Sequence, residues 1–266
     1  MTEKARDKSF WNENTAALKG KKIIAVIAGR EGIGKTWFAI ALAQALSLFK
    51  QKVLLFDADN GLSNTKVQLG LDFISDLDTV IYGTKSLNQI IFSYGKGGFD
   101  IITGNPSSSG LMTMSVGRLQ ILGDDLDIIS SGYDKTILDI SSGLSDTTKV
   151  LSGLAQEVII LCSDDPRQQF ENYEIIRHIA KHCPKTKINL VINRVNDIID
   201  GQRIYEMVKQ ACQTNLSAEI NLLGIIRNDT RVRDSIRNQV PLLARYPQSE
   251  AALDVVATAK RLIDHG

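Results

Sequence analysis

Short runs of almost unbroken apolar residues punctuate this chain, and between them apolar positions recur at helical spacing. The runs are KIIAVIA (22–28), KVLLFD (52–57), FDIIT (99–103), KTILDI (135–140), EVIILC (157–162), KINLVIN (187–193) and INLLGII (220–226). A strand with one wet face alternates apolar with polar residues; these do not, and so read as strands covered on both faces of a parallel sheet. Segments 34–49, 166–182, 201–214 and 249–264 carry the helical period. Strand and helix in alternation predict repeated βαβ units, hence an α/β, three-layer, doubly wound and mostly parallel sheet. No internal repeat or Pro/Gly-rich linker interrupts the pattern. It predicts a polar leader over residues 1–21 and one domain over 22–266.

Composition removes several functions. Lysine plus arginine (31) nearly balance aspartate plus glutamate (30), so no global basic field points to nucleic acid. The three cysteines, Cys162, Cys183 and Cys212, form no C-x-x-C pair, which argues against a zinc ribbon, an iron–sulfur ligand set or a disulfide framework. They read as buried small hydrophobes. The leader has mixed charge and no apolar core, unlike a signal peptide. No window approaches the roughly 18 apolar residues of a membrane span, so a cytoplasmic protein is expected.

The chemistry-bearing residues stand at the ends of predicted strands. After the first, Gly29, Arg30, Glu31, Gly32, Ile33, Gly34, Lys35 and Thr36 satisfy G-x-x-x-x-G-K-[ST], and Trp37 continues into a predicted helix. In such a loop backbone N–H groups and the helix N-terminus wrap phosphates; the lysine neutralises the β and γ groups, and the threonine hydroxyl ligates Mg²⁺. After the second strand, Asp57 and Asp59 are two residues apart and share one side of it, beside the ligand crevice at the carboxyl ends of the strands. A pair of solvated turn residues is the competing reading. After the fourth, ILDISSGLSD places Gly143 four residues beyond Asp139, the arrangement of a Walker B acid and a glycine N–H near the γ-phosphate.

In that order, the glycine loop, DADNGLSN and ILDISSGLSD resemble the MinD/ParA group of deviant-Walker ATPases. FDIITGNPSSSG (99–110), INRVND (192–197) and LLGIIRNDTRVRDSIRNQVPLLARYPQSEAA (222–252) are similar to its FlhG branch, the MinD-like regulators of flagellar number and placement. The resemblance implies an ATP/ADP- and Mg²⁺-dependent switch that forms a homodimer around ATP and acts through a protein partner of flagellar or polar assembly. It implies that Lys35 and Thr36 bind phosphate and Mg²⁺, that Asp59 positions the attacking water, and that Asp57 supports the Mg²⁺ shell. It makes Asp139 with Gly143 the second switch. Asn193, paired with Arg194, would meet the adenine, and Asn228 with Asp229 would border it.

The chain departs from the family at the loop. Arg30 stands where the family carries a lysine that reaches across the dimer, and Glu31 replaces a glycine. Arginine keeps the charge, with a different shape and reach. A carboxylate beside phosphates is repelled unless it pairs or turns to solvent. The expectation is a complete half-site on the chain's own side and an altered contribution to its partner, so that dimerisation or hydrolysis is weakened. Two alternatives stay open: a degenerate non-catalytic scaffold, and a ParA-type ATPase that binds DNA non-specifically. Arg231, Arg233 and Arg237 could face DNA phosphates, though with Asp234 they read as a solvated helix face. The segment at 249–264 is Ala/Val-rich with few basic residues, which predicts packing onto the core and not an autonomous membrane anchor.

Overall fold

The computed structural model describes residues 23–59, 65–72, 77–104, 110–111, 113–216 and 218–264. The 1–21 leader lies outside them, as do the NGLSN (60–64) and NPSSS (105–109) stretches.

Each apolar run becomes a strand: β1 (Ile23–Ile27), β2 (Val53–Ala58), β4 (Phe99–Ile102), β5 (Lys135–Ile140), β6 (Glu157–Cys162), β7 (Lys187–Val195) and β8 (Ile220–Arg227). With β3 (Phe92–Tyr94) they form one eight-stranded sheet in the order β3-β4-β2-β5-β1-β6-β7-β8. All the pairings are parallel except β3 with β4. β3 escapes sequence reading because a three-residue edge strand is too short to show a period.

Helices cover both faces. One face carries α4 (Val116–Ser130), α5 (Asp146–Leu154), α6 (Pro166–His182) and α7 (Ile198–Leu216), whose Leu122, Leu151, Ile176 and Ile204 share a core with Ile23, Phe56 and Leu138. The other carries α1 (Lys35–Leu48) and α10 (Glu250–Asp264), packed on Ile24, Leu55 and Ile159. Short helices α2 (Thr65–Leu69), α3 (Leu77–Ile81), α8 (Thr230–Arg237) and α9 (Leu242–Arg245) complete the chain. This is the predicted three-layer arrangement.

Helix ends follow local chemistry. Asp165 caps α6 by accepting from the Arg167 N–H, ahead of Pro166 at the first turn, and Ser145 caps α5 by accepting from the Thr148 N–H. The start of α1 differs: it follows Gly34 in the left-handed region (φ 97°) and has no side-chain cap. Its first N–H groups are thereby left for a ligand. α1 is buried along nearly its whole length, between the sheet and α10, which explains why it is apolar all round. The buried Ala251, Ala252, Val255, Ala259 and Leu262 of α10 are the core packing expected of that segment. Among the described residues no helix is long and apolar enough to cross a membrane.

Candidate functional site

The sheet order brings the predicted strand ends together. β5 lies between β1 and β2, so Asp139 sits in register with Val26 on one side and Asp57 on the other. The glycine loop leaves β1 at the same edge. A cavity of about 490 Å³ opens there, lined at one end by Glu31, Gly32, Ile33, Gly34, Lys35 and Thr36, with Trp37 and Asp59. The rest of its wall comes from Asn193 and Arg194 near the end of β7, and from Ile226, Arg227, Asn228 and Asp229 at the end of β8. A space of this size holds a nucleotide.

Lys35 is the hub. Its side chain is 6 % exposed, donates from Nζ to Asp59 Oδ2 at 2.6 Å, and lies 3.9 Å from Asp139 Oδ1. Burial pulls its pKa down, but Asp139 and Asp59 outweigh that, and the net shift is upward. Lys35 is therefore fully charged at neutral pH. An arriving phosphate would compete with Asp59 for it.

The buried acids differ in how they are satisfied. Asp57 accepts from the Thr65 N–H (2.8 Å), the Thr103 hydroxyl (2.9 Å) and the Asp59 N–H (3.1 Å). Burial, then the neighbouring Asp139 charge, pushes it up to about 7 despite those bonds. Asp139 is fully buried, and neither of its oxygens has a hydrogen-bond partner. Burial raises it to about 6, against the lowering effect of Lys35 and the Thr36 hydroxyl. With Lys35 at 3.9 Å and no hydrogen bond to either oxygen, this carboxylate has capacity left for a metal cation or a bound water. With Thr36 beside it, the donor set is hard oxygen, suited to Mg²⁺ that keeps phosphate and water ligands. No group of His, Cys, Asp and Glu among the described residues would by itself cage a metal. Asp57, its oxygens already bonded, fits the outer role better than direct ligation.

The altered loop residues turn outward. Arg30 (44 % exposed) pairs with Glu171 of its own chain at 3.5 Å, and Glu31 is exposed at the cavity rim. Beneath them, Asn172 is completely buried; its Oδ1 accepts from the Gly29 N–H at 2.7 Å and its Nδ2 donates to the Leu161 carbonyl at 3.0 Å. α6 comes so close that a Cβ on Gly29 would lie 2.5 Å from that of Glu171. Glycine is required there by approach.

Other expected residues are brought to the site but already bonded. The Gly143 N–H donates to the Ala28 carbonyl at 3.0 Å. Asn193 Nδ2 donates to the Ile33 carbonyl at 2.8 Å and ties the loop to β7. Asp229 caps α8 through the Arg231 N–H, and the Asn228 N–H donates to the Val195 carbonyl. Sequence reasoning missed Asn172 and Thr103, and missed Val232, Arg233 and Ile236, which turn α8 into a cavity wall. The 4-residue spacing of Val232 and Ile236 was the available signal, hidden among charges.

With this geometry, the comparisons with known proteins agree. The profile of the CobQ/CobB/MinD/ParA nucleotide binding domain (CbiA) matches residues 24–243. The chain belongs to this family. It is similar to antiactivator FleN of Pseudomonas aeruginosa, 28% identical over 248 residues that cover 91% of this chain and 86% of FleN. The flagellum site-determining protein YlxH of Helicobacter pylori is 27% identical, over 82% of this chain and 74% of that one. In fold it matches the septum site-determining protein MinD complexed with Mg-ADP from Pyrococcus horikoshii, with a TM-score of 0.75 at 20% identity over 91% of this chain and 95% of that one. It is thus a MinD/ParA-family protein with FleN/FlhG-like relatives, in a family whose members bind nucleotide.

Proposed function

We propose that this chain is a nucleotide-operated switch that binds ATP or ADP with Mg²⁺ and delivers its output through protein contacts in flagellar or other polar assembly. The observation that carries the reading is Asp139: a fully buried carboxyl group with Lys35 3.9 Å away and no direct hydrogen bond to either oxygen, near Thr36 and the uncapped start of a helix. Lys35 and the first N–H groups of α1 would bind the phosphates, and Thr36 with Asp139 would hold Mg²⁺, backed by Asp57. Mg²⁺, when bound, supplies charge neutralisation on the β and γ oxygens. Asp59, which Lys35 engages in this structure, would orient the attacking water. Asn193, Asn228 and Asp229 would border the base. The name of YlxH, a flagellum site-determining protein, supports the flagellar assignment.

Hydrolysis is weak in this reading, because the loop cation that would serve a second copy across an ATP-dependent homodimer is paired within the chain, to Glu171. The same pairing favours, as a second reading, a scaffold that binds nucleotide without turning it over. Fluorescent-nucleotide binding and ATP turnover, measured on wild type and Lys35→Ala over a range of protein concentrations, decide between them. Truncating a buried, hydrogen-bonded charge costs about 2 kcal/mol or more, so Lys35→Ala should bind at least ~30-fold more weakly. Turnover that rises with protein concentration supports the dimeric switch; binding without turnover supports the scaffold. Wild type that binds no nucleotide removes both.

A further inference from the structure

Most arginines around the cavity have a carboxylate partner. Arg30 has Glu171, Arg227 has Asp254 and Glu250, and Arg231 has Asp229. Arg194 and Arg233 form no ion pair with any described residue, yet both line the cavity. Arg194 is the penultimate residue of β7, and Arg233 belongs to α8.

Arg194 is placed there at a cost. Its backbone sits in the left-handed region (φ 62°), at an irregularity where the β7–β8 register shifts between Asn193 and Val195. A non-glycine residue in that region is strained and persists where surroundings impose it, often at a ligand site. The result is that Arg194 Nη2 comes to 3.8 Å from the point where a Cβ on Gly34 would stand. Its guanidinium therefore lies beside the start of Gly34-Lys35-Thr36, the phosphate-binding part of the loop motif. Burial and the charge of Arg233 both act against its own charge. Two guanidiniums that repel each other across a cavity are stabilised by an anion between them.

We infer that Arg194 and Arg233 form a second phosphate-binding clamp, which closes on the nucleotide's phosphates from the end of β7 and from α8. The inference rests on the nucleotide reading above and adds a residue, Arg233, that the sequence presents as part of a solvated or DNA-facing helix. It also gives the altered loop a physical complement. The cation turned away to Glu171 is replaced, within one chain, by cations from β7 and α8. The ligand class follows from the charge: a nucleoside di- or triphosphate is favoured over a monophosphate or a neutral nucleoside.

Arg233 is exposed on a short helix, so its truncation leaves the core intact. ADP binding should be measured by calorimetry at low and high salt on wild type, Arg233→Ala, Arg233→Lys and Arg237→Ala. Arg237 lies one turn further along the same helix and outside the cavity lining. Arg233→Ala should bind ADP about tenfold more weakly, with a flatter salt dependence, while AMP binding changes less. Arg233→Lys should recover part of the loss, and Arg237→Ala should match wild type. Wild-type ADP binding that Arg233→Ala leaves within twofold, with the same salt dependence, overturns the clamp alone. Equal weakening by Arg237→Ala also overturns it, since a diffuse field would then explain the effect. A wild type that binds no ADP at low salt removes the nucleotide reading, and the clamp with it.

Discussion

Two cation–carboxylate contacts begin within six residues of each other on the same loop, and they do opposite things. Lys35 is 6 % exposed, bonded to Asp59 and facing Asp139 in the floor of the cavity. Arg30 is 44 % exposed, and its partner Glu171 is 39 % exposed. The first contact exchanges one buried charge against several others, so removal of a single partner leaves the remainder uncompensated. The second is screened by water and salt and contributes little to the fold. The difference teaches where the loop tolerates change. Its buried half is held by several charges at once, and its exposed half, Arg30 and Glu31, faces water.

The largest effect should come from breaking the buried contact. Lys35→Ala removes the one lysine that faces Asp139, and loss of a buried partner costs about 3–5 kcal/mol. Urea unfolding at pH 8 without nucleotide or divalent ions should show most of that loss. A drop below about 1 kcal/mol would mean that water already reaches Asp139, and the contrast with Arg30 would fail.

A smaller effect, but one that isolates the acids, is the pH dependence of the metal-free fold. Asp57 and Asp139 are raised to about 7 and about 6, chiefly by burial. A carboxyl raised on folding binds more protons in the folded state than in the unfolded one between its two pKa values. Stability therefore falls as pH climbs from about 4 towards 7, at roughly 1.4 kcal/mol per pH unit for each extra proton held, then levels off. Asp57→Asn, which keeps the shape, should flatten that slope in EDTA. An unchanged slope would place the titration elsewhere.

How much of this was legible follows the same division. The strands and the glycine loop were readable because apolar runs and G-x-x-x-x-G-K-T are local signals. Asp57, Asp59 and Asp139 could be placed at one edge because a parallel sheet aligns the ends of its strands. Asn172 could not. It lies 143 residues from Gly29, and nothing local marks it as the acceptor for that N–H. Thr103, bonded to Asp57 from the end of β4, is hidden for the same reason. Glu171 was equally invisible, so the sequence showed that Arg30 was unusual without showing where it points. α8 misled in the other direction, since its charges concealed the spacing of Val232 and Ile236.

The smallest thermodynamic effect belongs to Glu171, and it sharpens the comparison most. Glu171→Gln removes the charge that pairs with Arg30 and should change stability by less than about 1 kcal/mol, because both groups are well exposed. Its functional effect has a definite sign if the cis pairing restrains Arg30. Freed of its partner, the guanidinium becomes available to a second copy. ATP turnover should then rise a few-fold, and the rise should grow with protein concentration. Arg30→Ala should abolish that gain in the double variant while barely altering the fold. If Glu171→Gln leaves turnover unchanged at every concentration, Arg30 is not restrained by this contact, and the exposed half of the loop is simply surface. Should turnover instead fall, Glu171 has a positive role at the interface between copies, and the parallel with Lys35–Asp59 becomes closer than burial alone suggests.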